Sequence, residues 1–217
     1  MKIVRFTKNI WEKEENCEKM MRAFLIGILL ALIGIGVDEI YQYVSANQFS
    51  KREEQKDLSD KKSLIIYFSL SGNTKDAAYQ IKRYTNADIV RLEPKKPYLQ
   101  GYDNYVPVAR KQLKEKAFPA IKDNLPNLEK YKVIYLGFPT WWHQPPRIIH
   151  TFFRDYDVKG KVIVPFTTSM SDPISKSMPY IDRMAKKANT DEVIYGYRYD
   201  GNNQDLKDFL QRNNLIK

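Results

Sequence analysis

One short polar loop constrains this chain more than any other feature. It reads Ser69-Leu70-Ser71-Gly72-Asn73-Thr74, and it joins an apolar run to a helical pattern with no spacer. The run before it, 63–69 (SLIIYFS), is β-rich and apolar at successive positions, as in a strand buried on both faces. The segment after it, 73–84 (NTKDAAYQIKRY), has Ala77, Ala78 and Ile81 among the apolar positions of a helix. A strand that runs through a tight loop into a helix opens a βαβ unit. In a parallel sheet that loop lies at the carboxyl end of its strand, where such folds bind ligands. The helix N-terminus offers unpaired N–H groups and the positive end of its dipole. Ser69, Ser71 and Thr74 add hydroxyls, Asn73 adds an amide, and Gly72 lets backbone approach a ligand closely. Such a loop can wrap a phosphate in neutral donors. Read alone, it also fits a Ser/Thr helix cap beside a glycine turn. It is neither GxxxxGK[ST] nor GxGxxG. Without a lysine it suits a terminal monophosphate better than a transferable γ-phosphate.

The remaining punctuation repeats the strand–helix alternation. Further strands are expected at 87–92 (ADIVRL), 132–137 (KVIYLG), 161–166 (KVIVPF) and 192–197 (EVIYGY). Helices are expected at 106–116, 145–154, 174–188 and 203–212, with 93–105 as a Pro/Gly/Tyr-rich loop. Five strands alternating with helices predict an α/β fold with a parallel sheet covered on both faces.

The residues then reach a resemblance. Tyr67-Phe68-Ser69-x-Ser71-Gly72-Asn73-Thr74 resembles the N-terminal signature of flavodoxins, in which such a loop holds the phosphate of flavin mononucleotide (FMN). Leu136-Gly137-Phe138-Pro139-Thr140-Trp141-Trp142-His143 resembles the G-x-P-x-W-W segment of short bacterial flavodoxin-like proteins. The likeness covers about 62–200, including 103–119 and Asn124-Leu125-Pro126. It implies a flavodoxin-like five-stranded parallel sheet in the order 2-1-3-4-5. The two motifs would then flank the switch point of the sheet. It also implies that Trp141 or Trp142 stacks on the flavin ring, that backbone near Pro139 and Thr140 meets its polar edge, and that His143 sits nearby. The loop after the fourth strand, with Thr168, Ser169 and Met170, would complete the site. That loop departs from the family pattern, because 167–173 holds neither glycine nor tyrosine. No metal ligands and no catalytic side chain are implied, because the flavin carries the redox chemistry. A hydrolytic set of Ser169 or Ser171 with His143 and Asp172 has no G-x-S-x-G elbow to support it. His150 is given no role.

The N-terminal part reads differently. Residues 23–37 form an uninterrupted apolar run of fifteen, preceded by a segment, 1–22, with six Lys/Arg. As a helix the run spans about 22 Å, short of the roughly 30 Å of a bilayer core. Two readings of 23–46 stand: a signal peptide, with Val44-Ser45-Ala46 as cleavage site, or a single membrane anchor lengthened by Ile40, Tyr41, Tyr43 and Val44. A buried core helix is the third. The basic N-terminal side places the domain outside the cytoplasm. Residues 47–61 read as a charged linker, and 62–217 as the flavodoxin-like domain. Residues 1–60 carry nine basic and ten acidic residues, so the net charge of +10 belongs to the globular part. Its Lys and Arg are scattered without a zinc-finger, RRM or helix-turn-helix signature, which argues against nucleic acid. Cys17 is the single cysteine, so no disulfide closes within the chain and no thiol serves the domain. The expected activity is electron transfer, or NAD(P)H-dependent reduction of a small acceptor such as a quinone. The alternative is a non-catalytic, membrane-tethered module of the same fold without flavin.

Overall fold

The computed structural model describes residues 56–99 and 101–217. The basic segment 1–22, the apolar segment 23–46 and most of the 47–61 linker lie outside the described residues. The packed unit begins at Lys56, inside the stretch read as linker. Leu58 is the reason: it is buried, and its N–H donates to the Asn214 carbonyl at 2.9 Å, joining the start of the domain to its end. Among the described residues, no helix is long and apolar enough to cross a membrane.

The elements alternate as β1 (Ser63–Tyr67), α1 (Asn73–Thr85), β2 (Asp88–Arg91), α2 (Tyr102–Lys114), β3 (Val133–Pro139), α3 (Arg147–Asp155), β4 (Val162–Thr168), α4 (Met178–Lys187), β5 (Glu192–Val193), β6 (Tyr197–Arg198) and α5 (Asn203–Arg212). All strand pairs are parallel, and the order is β2-β1-β3-β4-β5, with β6 also on β4. This is the order expected from the sequence.

Each central strand alternates its side chains between two cores, as the pleat dictates. Leu64, Ile66, Ile134, Leu136 and Phe138 face one way, packing with Ile148 and Phe152 of α3 and Ile181 of α4. Ile65, Tyr67, Val133, Tyr135 and Phe166 face the other, packing with Ala77 and Ile81 of α1 and Leu206 and Phe209 of α5. Each such aliphatic or aromatic side chain contributes about 1.5–3 kcal/mol by leaving water. Burial of this size fixes the sheet, and the sheet fixes where the loops at its carboxyl edge emerge.

The fifth strand differs from the single run expected over 192–197. It is two short pieces, and Pro165 supplies the cause. The carbonyls of Ile163 and Thr167 accept from Ile194 and Tyr199, both at 2.9 Å, so this edge of β4 faces the fifth strand. Pro165 lies between them on that edge and has no N–H to give. The pairing steps by one residue there, from Ile163 opposite Val193 to Phe166 opposite Tyr197. Gly196 fills the step: a Cβ on it would lie 2.5 Å from the Pro165 carbonyl oxygen. The result is a bulge that re-aims the chain toward the carboxyl edge of the sheet.

Two helices also differ from expectation. α2 begins at Tyr102, four residues earlier than expected, behind Gly101 at φ +93°. Pro107, which falls within the helix expected over 106–116, is accommodated inside it. The single helix expected over 174–188 is a 3-10 turn, Ile174–Lys176, followed by α4. Pro179 sits in the first turn of α4, where its missing N–H costs nothing.

Candidate functional site

The phosphate-type loop leaves β1 at Phe68, whose N–H still donates to Gly137 at 2.9 Å. Ser69 is buried and is spent on the loop itself: its Oγ accepts from the Gly72 N–H at 3.2 Å. Gly72 then turns with φ +100°, a left-handed value that suits glycine, and α1 begins. The N-cap of α1 is Gly72 with no side-chain acceptor, so the Ser/Thr cap that the loop also fitted is not what forms. The first-turn N–H groups are left for another acceptor. Arg91, the last residue of β2, holds the loop from behind, with Nη2 donating to the Ser69 carbonyl at 2.7 Å.

Hydroxyl contacts join this loop to the other two. Thr74, buried in the first turn of α1, has Oγ1 2.8 Å from that of Thr168 at the end of β4. Thr167 donates to the Phe138 carbonyl at 2.7 Å, so Thr140 is the donor in the 2.8 Å contact between their hydroxyls. The Thr140 N–H donates to the Thr168 carbonyl at 3.1 Å. In the third loop, Ser169 Oγ accepts from the N–H groups of Ser171 and Asp172, at 3.3 and 2.9 Å. Arg198, the last residue of β6, donates to the Ser169 carbonyl at 3.2 Å. An arginine from each flank of the sheet thus pins a carbonyl of a site loop.

Between the loops lies a cleft of about 490 Å³. Ser71, Asn73, Pro139, Thr140, Trp141, Thr168, Ser169 and Met170 line it, all expected from the sequence. Ser69, Gly72 and Thr74 shape it from behind. Tyr105, Asp76, Tyr199, Asp200 and Gly201 also line it, and sequence reading missed these five. Tyr199–Gly201 follow β6 at the carboxyl edge, a position the topology alone marks as site-forming. Tyr105 lies in the stretch read as loop, and its spacing carries no signal of its own. The lining holds two carboxylates and neither Lys nor Arg, so the basic excess of the domain lies elsewhere. A phosphate here would rest on neutral donors and the α1 dipole.

The aromatic wall is specific. Trp141 is stacked on Tyr105, with centroids 5.3 Å apart and planes at 21°, and its ring meets Phe68 and Tyr98 edge-on at 5.5 and 5.7 Å. This packing holds one indole orientation at the cleft. Tyr199 is a second aromatic at the cleft, although loop 167–173 provides none.

Trp142 and His143 are not among the residues that line the cleft, and the turn explains why. Trp141 and Gln144 exchange backbone hydrogen bonds at 3.0 and 3.2 Å across a two-residue turn. Both central residues are left-handed, with φ +46° at Trp142 and +63° at His143. That is the geometry Asn-Gly normally fills. It carries Trp142 to the surface, where it is 38% exposed. His143 is turned to Asp172, with Nδ1 2.9 Å from Oδ1. A carboxylate only accepts, so Nδ1 carries the proton. The pair ties the second loop to the third. His150 sits apart on α3, half-buried, and burial first and then the Arg147 charge push its pKa down to about 4.

Comparison with known proteins agrees with this geometry. A family model described as flavodoxin matches residues 62–204. No curated protein matches the chain. A protein from Bacteroides eggerthii DSM 20697, described as a flavoprotein, is 29% identical with a TM-score of 0.62, covering 70% of this chain and 97% of its own. A counterpart from Bacteroides uniformis ATCC 8492 is also 29% identical with a TM-score of 0.62, covering 70% and 98%. A flavoprotein from Lactobacillus acidophilus NCFM, solved in complex with FMN, is 23% identical with a TM-score of 0.57, covering 67% and 97%.

Proposed function

The chain belongs to the flavodoxin family over residues 62–204, and from that premise we propose that it binds FMN in the cleft and uses it to carry electrons or to reduce a small acceptor. The observation that carries this reading is the start of α1. Its N-cap is a left-handed glycine with no side-chain acceptor, and Ser71 and Asn73 flank it at the cleft. These neutral donors fit a monophosphate ester. The cleft beyond offers Trp141, Pro139, Thr140, Thr168 and Ser169, which fit a flat, polar-edged ring. The cleft volume lies in the ordinary range for cofactor sites.

When bound, FMN supplies the hydride or electron chemistry. The protein supplies position and surroundings. The α1 N–H groups, Ser71 and Asn73 hold the phosphate end. Trp141, locked by Tyr105, Phe68 and Tyr98, sets the plane of the ring, and the Thr140–Thr167 and Thr74–Thr168 contacts keep the three loops in register. Asp76 places negative charge at the cleft, whereas Asp200 is paired with Arg198 at 3.6 Å; the Asp76 charge opposes adding negative charge to a bound group and so disfavours its reduced, anionic forms. Met170, fully exposed at the cleft, offers an apolar contact suited to a small uncharged acceptor such as a quinone, with NAD(P)H as the reductant. Residues 23–46 would export the domain or tether it to a membrane, with the domain on the extracytoplasmic side.

The test is a titration of FMN and of riboflavin, followed by quenching of flavin fluorescence, on the wild type, Ser71→Ala and Asn73→Ala. Losing one charge-assisted hydrogen bond, worth about 1.5–3 kcal/mol, should weaken FMN roughly 10- to 100-fold and leave riboflavin nearly unchanged. Equal weakening of both ligands would refute the phosphate assignment. Failure of the wild type to quench FMN would refute the flavin reading altogether.

A further inference from the structure

A second cavity, of about 510 Å³, opens on another part of the domain. It lies where the C-terminal halves of α3 and α4 converge. Both helices run back from the carboxyl edge of the sheet, so this cavity sits toward the opposite edge from the FMN cleft. Its apolar wall is made by Phe153, Tyr156, Val158, Met184 and Ala188, with Phe118 at the edge, its ring against the guanidinium groups of Arg147 and Arg154 at 4.7 and 4.3 Å. Four cations line its edge: Arg154, Lys159, Arg183 and Lys187. Arg154 is paired with Asp155. Lys159, Arg183 and Lys187 have no ion-pair partner among the described residues. The one acid in the lining, Asp157, is occupied in part by the Lys159 N–H at 2.9 Å.

Behind the apolar wall lie two further basic groups. Arg147, at the start of α3, is 8% exposed and spends Nε and Nη2 on the carbonyls of Ala117 and Lys116, both at 2.8 Å. Its Nη1 lies 3.0 Å from His150 Nδ1. Arginine can only donate, so Nδ1 accepts and the imidazole proton resides on Nε2. That Nε2–H is buried and has no hydrogen-bond partner. A buried donor without an acceptor costs about 1–3 kcal/mol. The Arg147 guanidinium has no carboxylate partner among the described residues either, and a buried charge without a counter-charge is costly.

We propose that this cavity is a binding site for a small amphipathic anion, whose apolar body packs among Phe153, Tyr156, Val158 and Met184 and whose anionic head is received by Arg183, Lys187 and Lys159. A neutral amphiphile would fill the apolar wall but leave the cations without a counter-charge, and a cationic one would be repelled by all of them. The site is independent of the FMN cleft, because no residue lines both cavities.

The experiment uses the full chain and dispersed decanoate, kept below its micellar concentration, with decanol and decyltrimethylammonium as arms, each followed by calorimetry and by heteronuclear NMR shifts. Decanoate should saturate at one per chain and bind at least about tenfold more tightly than decanol, the worth of one charge-assisted contact. The cationic arm should not bind. R183E/K187E should weaken decanoate at least about tenfold while leaving decanol unchanged. Equal affinity for decanoate and decanol, no saturable decanoate binding, or decanoate binding unaffected by R183E/K187E would each overturn the proposal. FMN titration of R183E/K187E should match wild type, which separates a failed site from a misfolded domain.

Discussion

Gly137 to alanine is the substitution through which the sheet and the site can be tested together. Gly137 lies in β3 between Tyr67 and Phe166 of the neighbouring strands. A Cβ built on it meets three carbons of the Phe166 ring, at 2.2, 2.5 and 2.8 Å. Phe166 is 1% exposed and packs in the core beneath α1 and α5, so the ring cannot step aside into solvent. The methyl group must displace the ring or spread β3 from β4. Overpacking of this kind costs about 1–3 kcal/mol, and the close contact with a rigid ring places Gly137→Ala toward the upper end. The strain falls two residues before the ends of both strands, β3 leading into Thr140 and β4 ending at Thr168, so FMN affinity should fall as well. Phe166→Leu removes the ring. By itself it should cost about 1–2 kcal/mol for the lost apolar contact and residual cavity. In the double variant the new methyl group takes up part of that space, so the two costs should not add, with a favourable coupling of about 1–2 kcal/mol. Urea unfolding followed by far-UV circular dichroism measures all four proteins. Gly137→Ala within about 0.5 kcal/mol of wild type, or strictly additive costs, would refute the reasoning.

Three further outcomes follow from single contacts. Replacing Trp142-His143 by Asn-Gly should raise stability by about 1 kcal/mol, because two bulky left-handed residues cost about 1–2 kcal/mol each and the exposed His143–Asp172 pair returns under about 1; thermal unfolding that shows no gain would count against strain in this turn. Lys161 is 8% exposed, and its Nζ donates to the carbonyls of Leu128 and Tyr131 at 2.7 and 2.9 Å, so Lys161→Met should cost about 1–3 kcal/mol in urea unfolding by stranding two acceptors. His150 falls from 6.5 to about 4 on folding: between those values the unfolded chain binds a proton that the folded chain does not, so this contribution is full above pH 6.5 and is lost as pH falls toward 4. After allowance for partial solvent access it amounts to about 2 kcal/mol across the window, and His150→Gln should show a correspondingly shallower decline of unfolding free energy from pH 7 to 4.5 than wild type does.

The parts of the fold that rest on periodicity were legible in the sequence. Apolar runs such as that from Leu64 to Phe68 alternate between two cores, and this double burial makes a parallel strand read as a continuous hydrophobic run. The site loops were legible for a related reason: each follows directly from a strand whose end could be read. What escaped was set by contacts distant in the chain. Leu58 belongs to the core because Asn214 captures its N–H, and nothing around Leu58 records that. The break in the fifth strand is caused by Pro165, thirty residues earlier on the neighbouring strand. Tyr105 reaches the cleft by stacking on Trp141, and Arg91 and Arg198 pin site carbonyls from opposite flanks; these are products of topology that local spacing does not display. Trp142 and His143 are the instructive pair. Their residue types suggested a flavin contact; the turn that contains them leaves Trp142 at the surface and bonds His143 to Asp172 of the third loop.

Occupancy by FMN of the cleft between the loops at 69–74, 139–143 and 168–170 is the proposed basis of function. It is tested most directly by the flavin content of the purified full chain: a visible absorption spectrum, then acid release and chromatographic identification of what comes off. A yellow protein is expected, or one that becomes yellow on adding FMN, with one FMN per chain and neither riboflavin nor FAD retained. A colourless chain that leaves the fluorescence of added FMN unquenched would contradict it.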